Sequence, residues 1–187
     1  MALRGRGSEV ADTPAFLAAA RAIGDPQELG PALAAAALVA WAQADAPTAI
    51  AYIEELDACT REAPDSSRLQ YAPLVLRLCV DLDRLDLAER LLDRPAPGGA
   101  RQETVAAAGR AVIAEARGDF DEAGELYAEA ARLLESYDIP YELGHALLGH
   151  WRCTRDDESL RRADEIFRRL GAVVPEAAAR AARESTG

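Results

Sequence analysis

The chain has 187 residues, half of them apolar, 5% aromatic and 28% charged, which suffices for one core or a short array of repeats and is too apolar for disorder. A net charge of −11 repels phosphate backbones and anionic lipid, and so argues against nucleic-acid or membrane partners. Three cysteines without CxxC spacing argue against a disulfide framework and fit a reducing cytoplasm.

The opening "MALRGRGSEV" has two arginines and no apolar run behind them, so it does not read as a leader peptide, and residues 1–12 are expected to be flexible. Thr13-Pro14 and Asp25-Pro26 each pair a capping side chain with a proline suited to a first helical turn, and Glu28 is well placed after Asp25. A helix at 14–23 is followed by "PALAAAALVAWA", 31–42, too short to cross a bilayer and better suited to a buried helix. "AQADAPTAIAYIEEL" sets Asp45 and Ala49 before Ile53 and Leu56. Ser67 and Gln70 form a capping-box pair, and "LDRLDLAERLL" then sets Asp83 and Ala88 before Leu91 and Leu92. "RPAPGGA", 94–100, is a connector.

The densest pattern is "EARGDFDEAGELYAEAARLLESYDIP", 115–140. Phe120, Ala123, Tyr127, Ala130, Leu134 and Tyr137 recur at three- and four-residue steps, one face of an α-helix. Asp119 with Glu122 reads as a capping box, and Gly118 suits the end of a preceding helix. "RGDF" is thus a tight corner between antiparallel helices at about 101–117 and 120–136. Beyond "LRRADEIFRRLGA", a last helix is expected at about 175–184, and the one hint of a strand is "AVV" at 172–174. The expected fold is all-α, with helix pairs at about 30–62, 67–94, 101–137 and 140–170.

Ala49, Ala88 and Ala123 stand 39 and 35 residues apart, and Ala130 and Ala163 stand 33 apart. A helix pair returning every ~34 residues is the period of tetratricopeptide arrays. Small residues at the crossing let paired helices approach closely. Residues 100–172 resemble the tetratricopeptide repeats near the C-terminus of large bacterial adenylate/guanylate-cyclase-linked and LuxR-type ATPase regulators. The resemblance rests on "EARGDFDEAGELYAEAARLLESYDIPYELGHALLGHWRC" and "LRRADEIFRRLGA", and more loosely on "ALAAAALVAWAQAD" and "DLDRLDLAERLLD". It implies an α-solenoid and an interaction or regulatory role in signal transduction. Where that repeat favours an apolar-Gly pair, this chain has Arg110-Ala111 and His150-Trp151.

Residue chemistry points the same way. All 21 basic residues are arginine, which removes a P-loop lysine and a Schiff base. "RGRGSEV" lacks the third glycine of a dinucleotide loop, and no GxSxG occurs. No catalytic motif and no cofactor site is recognised. His150 and Cys153, three apart on one helix, could share a metal, but two ligands do not close a site; a packed helix is the simpler reading. His145 lies about 140° around that helix from His150. Asp81, Asp83 and Asp86 lack the glycine and spacing of a calcium loop and suit a capped, solvated corner. Glu54-Glu55 and Asp156-Asp157-Glu158 read as solvent-facing or first-turn carboxylates. Arg161, Arg162, Arg168 and Arg169 form a basic strip, expected to pair with neighbouring acids.

In an array of this kind the first helix of each pair lines the concave face. The expected partner-binding positions are Ala34, Leu38, Trp41, Gln70, Arg77, Asp81, Ala108, Val112 and Glu115, a groove suited to an amphipathic helix or extended peptide. Trp41 either lines that groove or packs against the helix at 14–23. The sequence thus favours a protein-interaction or regulatory module, with a protein, a peptide or other domains of a larger protein as partner. A small-molecule sensor, a free-standing adaptor and self-association through exposed end faces remain as alternatives.

Overall fold

A computed structural model describes residues 13–61, 71–93 and 100–172. The expected flexible N-terminus, the Ser67–Gln70 capping box, most of the 94–100 connector and the helix at 175–184 lie outside these residues. Among the described residues every regular element is an α-helix. These helices are α1 Thr13–Ile23, α2 Pro26–Ala42, α3 Ala46–Cys59, α4 Ala72–Asp81 and α5 Leu85–Leu92, then α6 Ala100–Arg117, α7 Phe120–Ser136, α8 Pro140–Thr154 and α9 Asp157–Leu170. No described helix is long and apolar enough to cross a membrane.

The helices fall into two compact units, α1–α5 and α6–α9. In the first, α2 packs against α1 and α3, while α5 packs against α3 and α4. Leu17, Leu33, Ile53, Leu56, Val75, Leu76 and Leu87 form its core. In the second, α7 packs on α6, α8 on both of them, and α9 on α8, around Val105, Ile113, Tyr127, Leu134, Leu147 and Phe167.

Local chemistry explains the element boundaries. The Asp25 carboxylate accepts from Gln27 N–H at 2.9 Å and that of Asp45 from Thr48 N–H at 3.1 Å, so each supplies an acceptor to a helix start whose amides have no partner within the helix. Asp119 stands at the start of α7, but its side chain makes no capping bond; the expected capping box is absent there. Its backbone amide instead closes the end of α6.

That closure recurs. Asp45 N–H donates to Ala40 O (2.9 Å), Arg84 to Cys79 O (2.8 Å) and Asp119 to Ala114 O (3.0 Å). The residue before each donor is left-handed: Ala44 at φ 62°, Asp83 at φ 57° and Gly118 at φ 86°. This is the six-to-one closure of a Schellman motif, which satisfies carbonyls that a helix end leaves open and turns the chain sharply. The α7–α8 corner closes the same way, Ile139 N–H donating to Leu134 O at 3.1 Å behind Asp138 at φ 51°, so four corners, α2–α3, α4–α5, α6–α7 and α7–α8, share one geometry. Four residues past the donors Asp45, Arg84 and Asp119 sits an alanine with no exposed surface, Ala49, Ala88 or Ala123, whereas the position four past Ile139 is Leu143.

Close approach in the second unit comes from two glycines of α8. A Cβ on Gly149 would lie within 2.6 Å of three atoms of the Tyr127 ring, and one on Gly144 would lie 2.7 Å from the Phe167 ring. Trp151, which the repeat pattern places in the glycine slot, is buried with the Arg155 guanidinium 4.9 Å from its ring centre. Gly144 and Gly149 carry the tight contacts on α9 and α7 instead.

Candidate functional site

The expected groove positions divide by burial. α2 has buried residues on all sides, because α1 covers one side and α3 another. Ala34 and Leu38 are therefore core residues, a correction to their expected exposure. The same holds for Ala108 and Val112 on α6, a helix that both α7 and α8 touch. Trp41 and Arg77 are half-buried and Asp81 is exposed, all in the first unit. Glu115 is half-buried in the second, and Gln70 lies outside the described residues.

Glu115 belongs to a polar cluster drawn from three helices. The Tyr127 hydroxyl of α7 donates to Glu115 Oε2 at 2.6 Å, and Arg152 of α8 donates to the same oxygen at 2.7 Å through Nη2. Arg152 Nε bonds the other carboxylate oxygen, Oε1, which makes the ion pair bidentate. Burial, together with the adjacent Glu115 carboxylate, pushes the Tyr127 hydroxyl well above its usual range. Glu115 and Arg152 are 37 residues apart, so no local periodicity announces the pair.

A second cluster closes the α8–α9 corner. Ser159 Oγ donates to Asp156 Oδ2 at 2.6 Å, and Ser159 N–H donates to the same oxygen at 3.2 Å. His150 Nδ1 lies 2.9 Å from Ser159 Oγ. With the hydroxyl proton directed to the carboxylate, the serine oxygen accepts from His150 Nδ1–H. Here the three side chains build an N-terminal cap for α9. The hydrogen bonds from Ser159 lower the Asp156 carboxyl below its ordinary value.

His150 is thus engaged with α9, while His145 packs in an aromatic group, 4.8 Å from Tyr141 and 5.0 Å from Phe167 between ring centres. Cys153 is half-buried and its thiol is pushed up to about 11 by burial. No group of three or more histidine, cysteine or acidic side chains among the described residues is placed to hold a metal.

The other charged motifs form ion pairs. Asp86 accepts from Arg84 at 2.7 and 2.9 Å and from Arg90 at 3.1 Å, and the Arg84 hydrogen bond is the main reason its carboxyl is held far below the usual range. Arg84 also reaches Glu54 at 3.3 Å, while Arg90 and Arg61 flank the buried Asp57 at 3.5 and 3.3 Å. Within the basic strip of α9, Arg161 pairs with Glu158 and Glu165, and Arg162 with Glu135 of α7. Arg168 and Arg169 end the helix exposed, where positive charge suits the dipole.

These features define a class, an all-α protein whose described helices are joined by sharp corners, three of them with a fully buried alanine four residues on. Its polar clusters tie helices to one another. No protein-family model, curated protein or solved structure matches the chain significantly.

Proposed function

We propose that this chain is a non-catalytic protein-interaction and regulatory module of the tetratricopeptide type. We place it as the helical arm of a cytoplasmic bacterial signalling protein of the cyclase-linked or LuxR-type kind. The observation that supports this reading is the corner with a wholly buried alanine four residues on: its closing amides at Asp45, Arg84 and Asp119 stand 39 and 35 residues apart, while the like closure at Ile139 joins α7 to α8 and has Leu143 in that place. Repetition of a helix hairpin on this period is what stacked helical repeats require. The polar side chains have structural employment as caps and ion pairs, in keeping with a scaffold whose role is contact. Its partner is a protein, a peptide or another domain of the parent chain, met in the first unit through Trp41, Arg77 and Asp81.

The size of the native protein in its source organism tests the proposal, using an antibody raised against this chain. A band several times 20.0 kDa is the expected result and directs attention to the output domain. A band at 20.0 kDa would overturn the assignment to a larger regulator and leave a free-standing adaptor.

A further inference from the structure

α1 keeps its place through few contacts. Of Pro14–Ile23, Leu17 and Ala20 are buried against α2 and the other eight residues are exposed, Phe16 at 59% and Ile23 at 66% among them. The largest apolar side chains of the helix therefore add little to its seat. Arg21 reaches across to α3, donating to Glu55 through hydrogen bonds of 2.8 and 2.5 Å, with its guanidinium 6.0 Å from the Tyr52 ring centre. Both members of that ion pair are partly open to solvent, where such a pair contributes little. A helix of eleven residues is too short to persist on propensity alone.

What α1 covers has the opposite character. From Leu29 to Ala42, α2 has no charged side chain, and a helix that is apolar all round must be covered. α2 also starts without help from α1, because Asp25 caps it through Gln27 N–H and Pro26 opens it. The joint between them is Gly24, exposed and at φ 70°, where the nearest atom to an added Cβ is Arg21 O at 4.0 Å. Glycine's freedom at that joint lets α1 swing without breaking a bond of the α2 start.

We propose that α1 is a displaceable occupant of the α2–α3 surface, and that the partner of this chain is an amphipathic helix that takes its place. The contacts of α1 fix what that helix carries: an apolar pair three residues apart, as Leu17 and Ala20 are, followed by an arginine for the Glu55 carboxylate and the Tyr52 ring. Tethered through Gly24 and Asp25, α1 competes at high effective concentration, so the surface stays closed to weak ligands and opens to a helix with stronger anchors. The inference rests on the interaction role proposed above and adds a covered surface to it. The native size of the protein leaves it untouched, so each reading fails on its own measurement.

Two measurements on the full chain test it. Native-state hydrogen exchange is expected to show the amides of α1 at least ~10-fold less protected than those of α2 and α3. Equal protection would overturn the proposal, because α1 would then open only together with its neighbours. The binding probe is a fluorescein-labelled peptide of residues 12–25. Leu17→Ala with Arg21→Ala in the chain weakens the resident helix and is expected to tighten peptide binding at least ~10-fold, with helical circular dichroism retained. Glu55→Arg added to that chain is expected to abolish binding, and a peptide carrying Arg21→Glu to restore it. Equal affinity for the native and weakened chains, or none for either, would overturn the proposal, as would binding indifferent to Glu55→Arg. So would collapse of the circular dichroism in the weakened chain, since α1 would then belong to the core.

Discussion

Tyr127 concentrates several constraints in one side chain. Its ring lies against the bare backbone of Gly149, and its hydroxyl donates to Glu115. Gly149→Ala forces a methyl into the ring and is expected to cost about 2–3 kcal/mol, since overpacking a filled core displaces side chains or backbone. Tyr127→Phe removes one hydrogen bond to a charged group at a cost of about 1–2 kcal/mol, whereas Glu115→Ala strands the buried hydroxyl and costs about 2–3 kcal/mol. Urea denaturation of the two variants and their double mutant measures the coupling, and a double mutant equal to the sum of the singles would show that the bond contributes nothing. Cys79 supplies a pH test. Burial pushes its thiol up from about 9 to about 12, so the folded state keeps a proton that the unfolded state loses. The associated stability is complete below about pH 9 and is lost as pH rises toward 12, at up to about 1.4 kcal/mol per pH unit. Cys79→Ala is expected to flatten that alkaline decline by one proton, read from denaturation midpoints across pH 8–11.

At the scale of the element, the corners decide where helices stop. Gly118 accepts its left-handed conformation freely, but Ala44 holds φ 62° at a cost. Ala44→Gly is therefore expected to stabilise the protein by about 0.5–1 kcal/mol, visible as a melting temperature higher by a few degrees. The same substitution in the interior of α3, at the exposed Ala51, should destabilise by about 1 kcal/mol. At the start of α9, Asp156→Ala removes an acceptor for both Ser159 N–H and Ser159 Oγ and is expected to cost about 1 kcal/mol. Asp156→Asn should recover part of that loss, which separates hydrogen bonding from charge.

For the molecule as a whole, the ionisable groups define a pH window. The carboxyls of Glu55, Asp86, Asp156 and Glu158 are all lowered, each first by a hydrogen bond, from arginine for three of them and from Ser159 for Asp156. A lowered carboxyl contributes stability that is present above its unfolded value and lost as pH falls through its folded value. Acid should therefore weaken the fold below about pH 4, and Cys79 and Tyr127 should weaken it above about pH 9. A stability maximum between pH 5 and pH 8, measured by thermal melts in one buffer series, is the expected profile. A maximum below pH 4 would show instead that relief of the −11 net charge outweighs the loss of these local bonds.

Local pattern announces what is local in this protein. The three- and four-residue steps from Phe120 onward, Gly118, Asp45 and the Asp25-Pro26 pair locate helices because helical periodicity, caps and left-handed corners act over a few residues. The spacing of Ala49, Ala88 and Ala123 picked out residues that are wholly buried. Other features belong to tertiary structure. Which sides of α2 and α6 are covered depends on two neighbours each. The Ala/Leu-rich α2 has no polar stripe to mark an open side, whereas α6 carries one in the exposed Glu103, Arg110 and Arg117, away from Ala108 and Val112. Ala34, Leu38, Ala108 and Val112 went from expected groove to core. The Glu115–Tyr127–Arg152 cluster joins residues up to 37 apart, and Gly144 and Gly149 acquire their purpose when Phe167 and Tyr127 arrive from other helices. Helix formation follows from short-range sterics and hydrogen bonding, whereas burial and polar pairing follow from which helix lies against which.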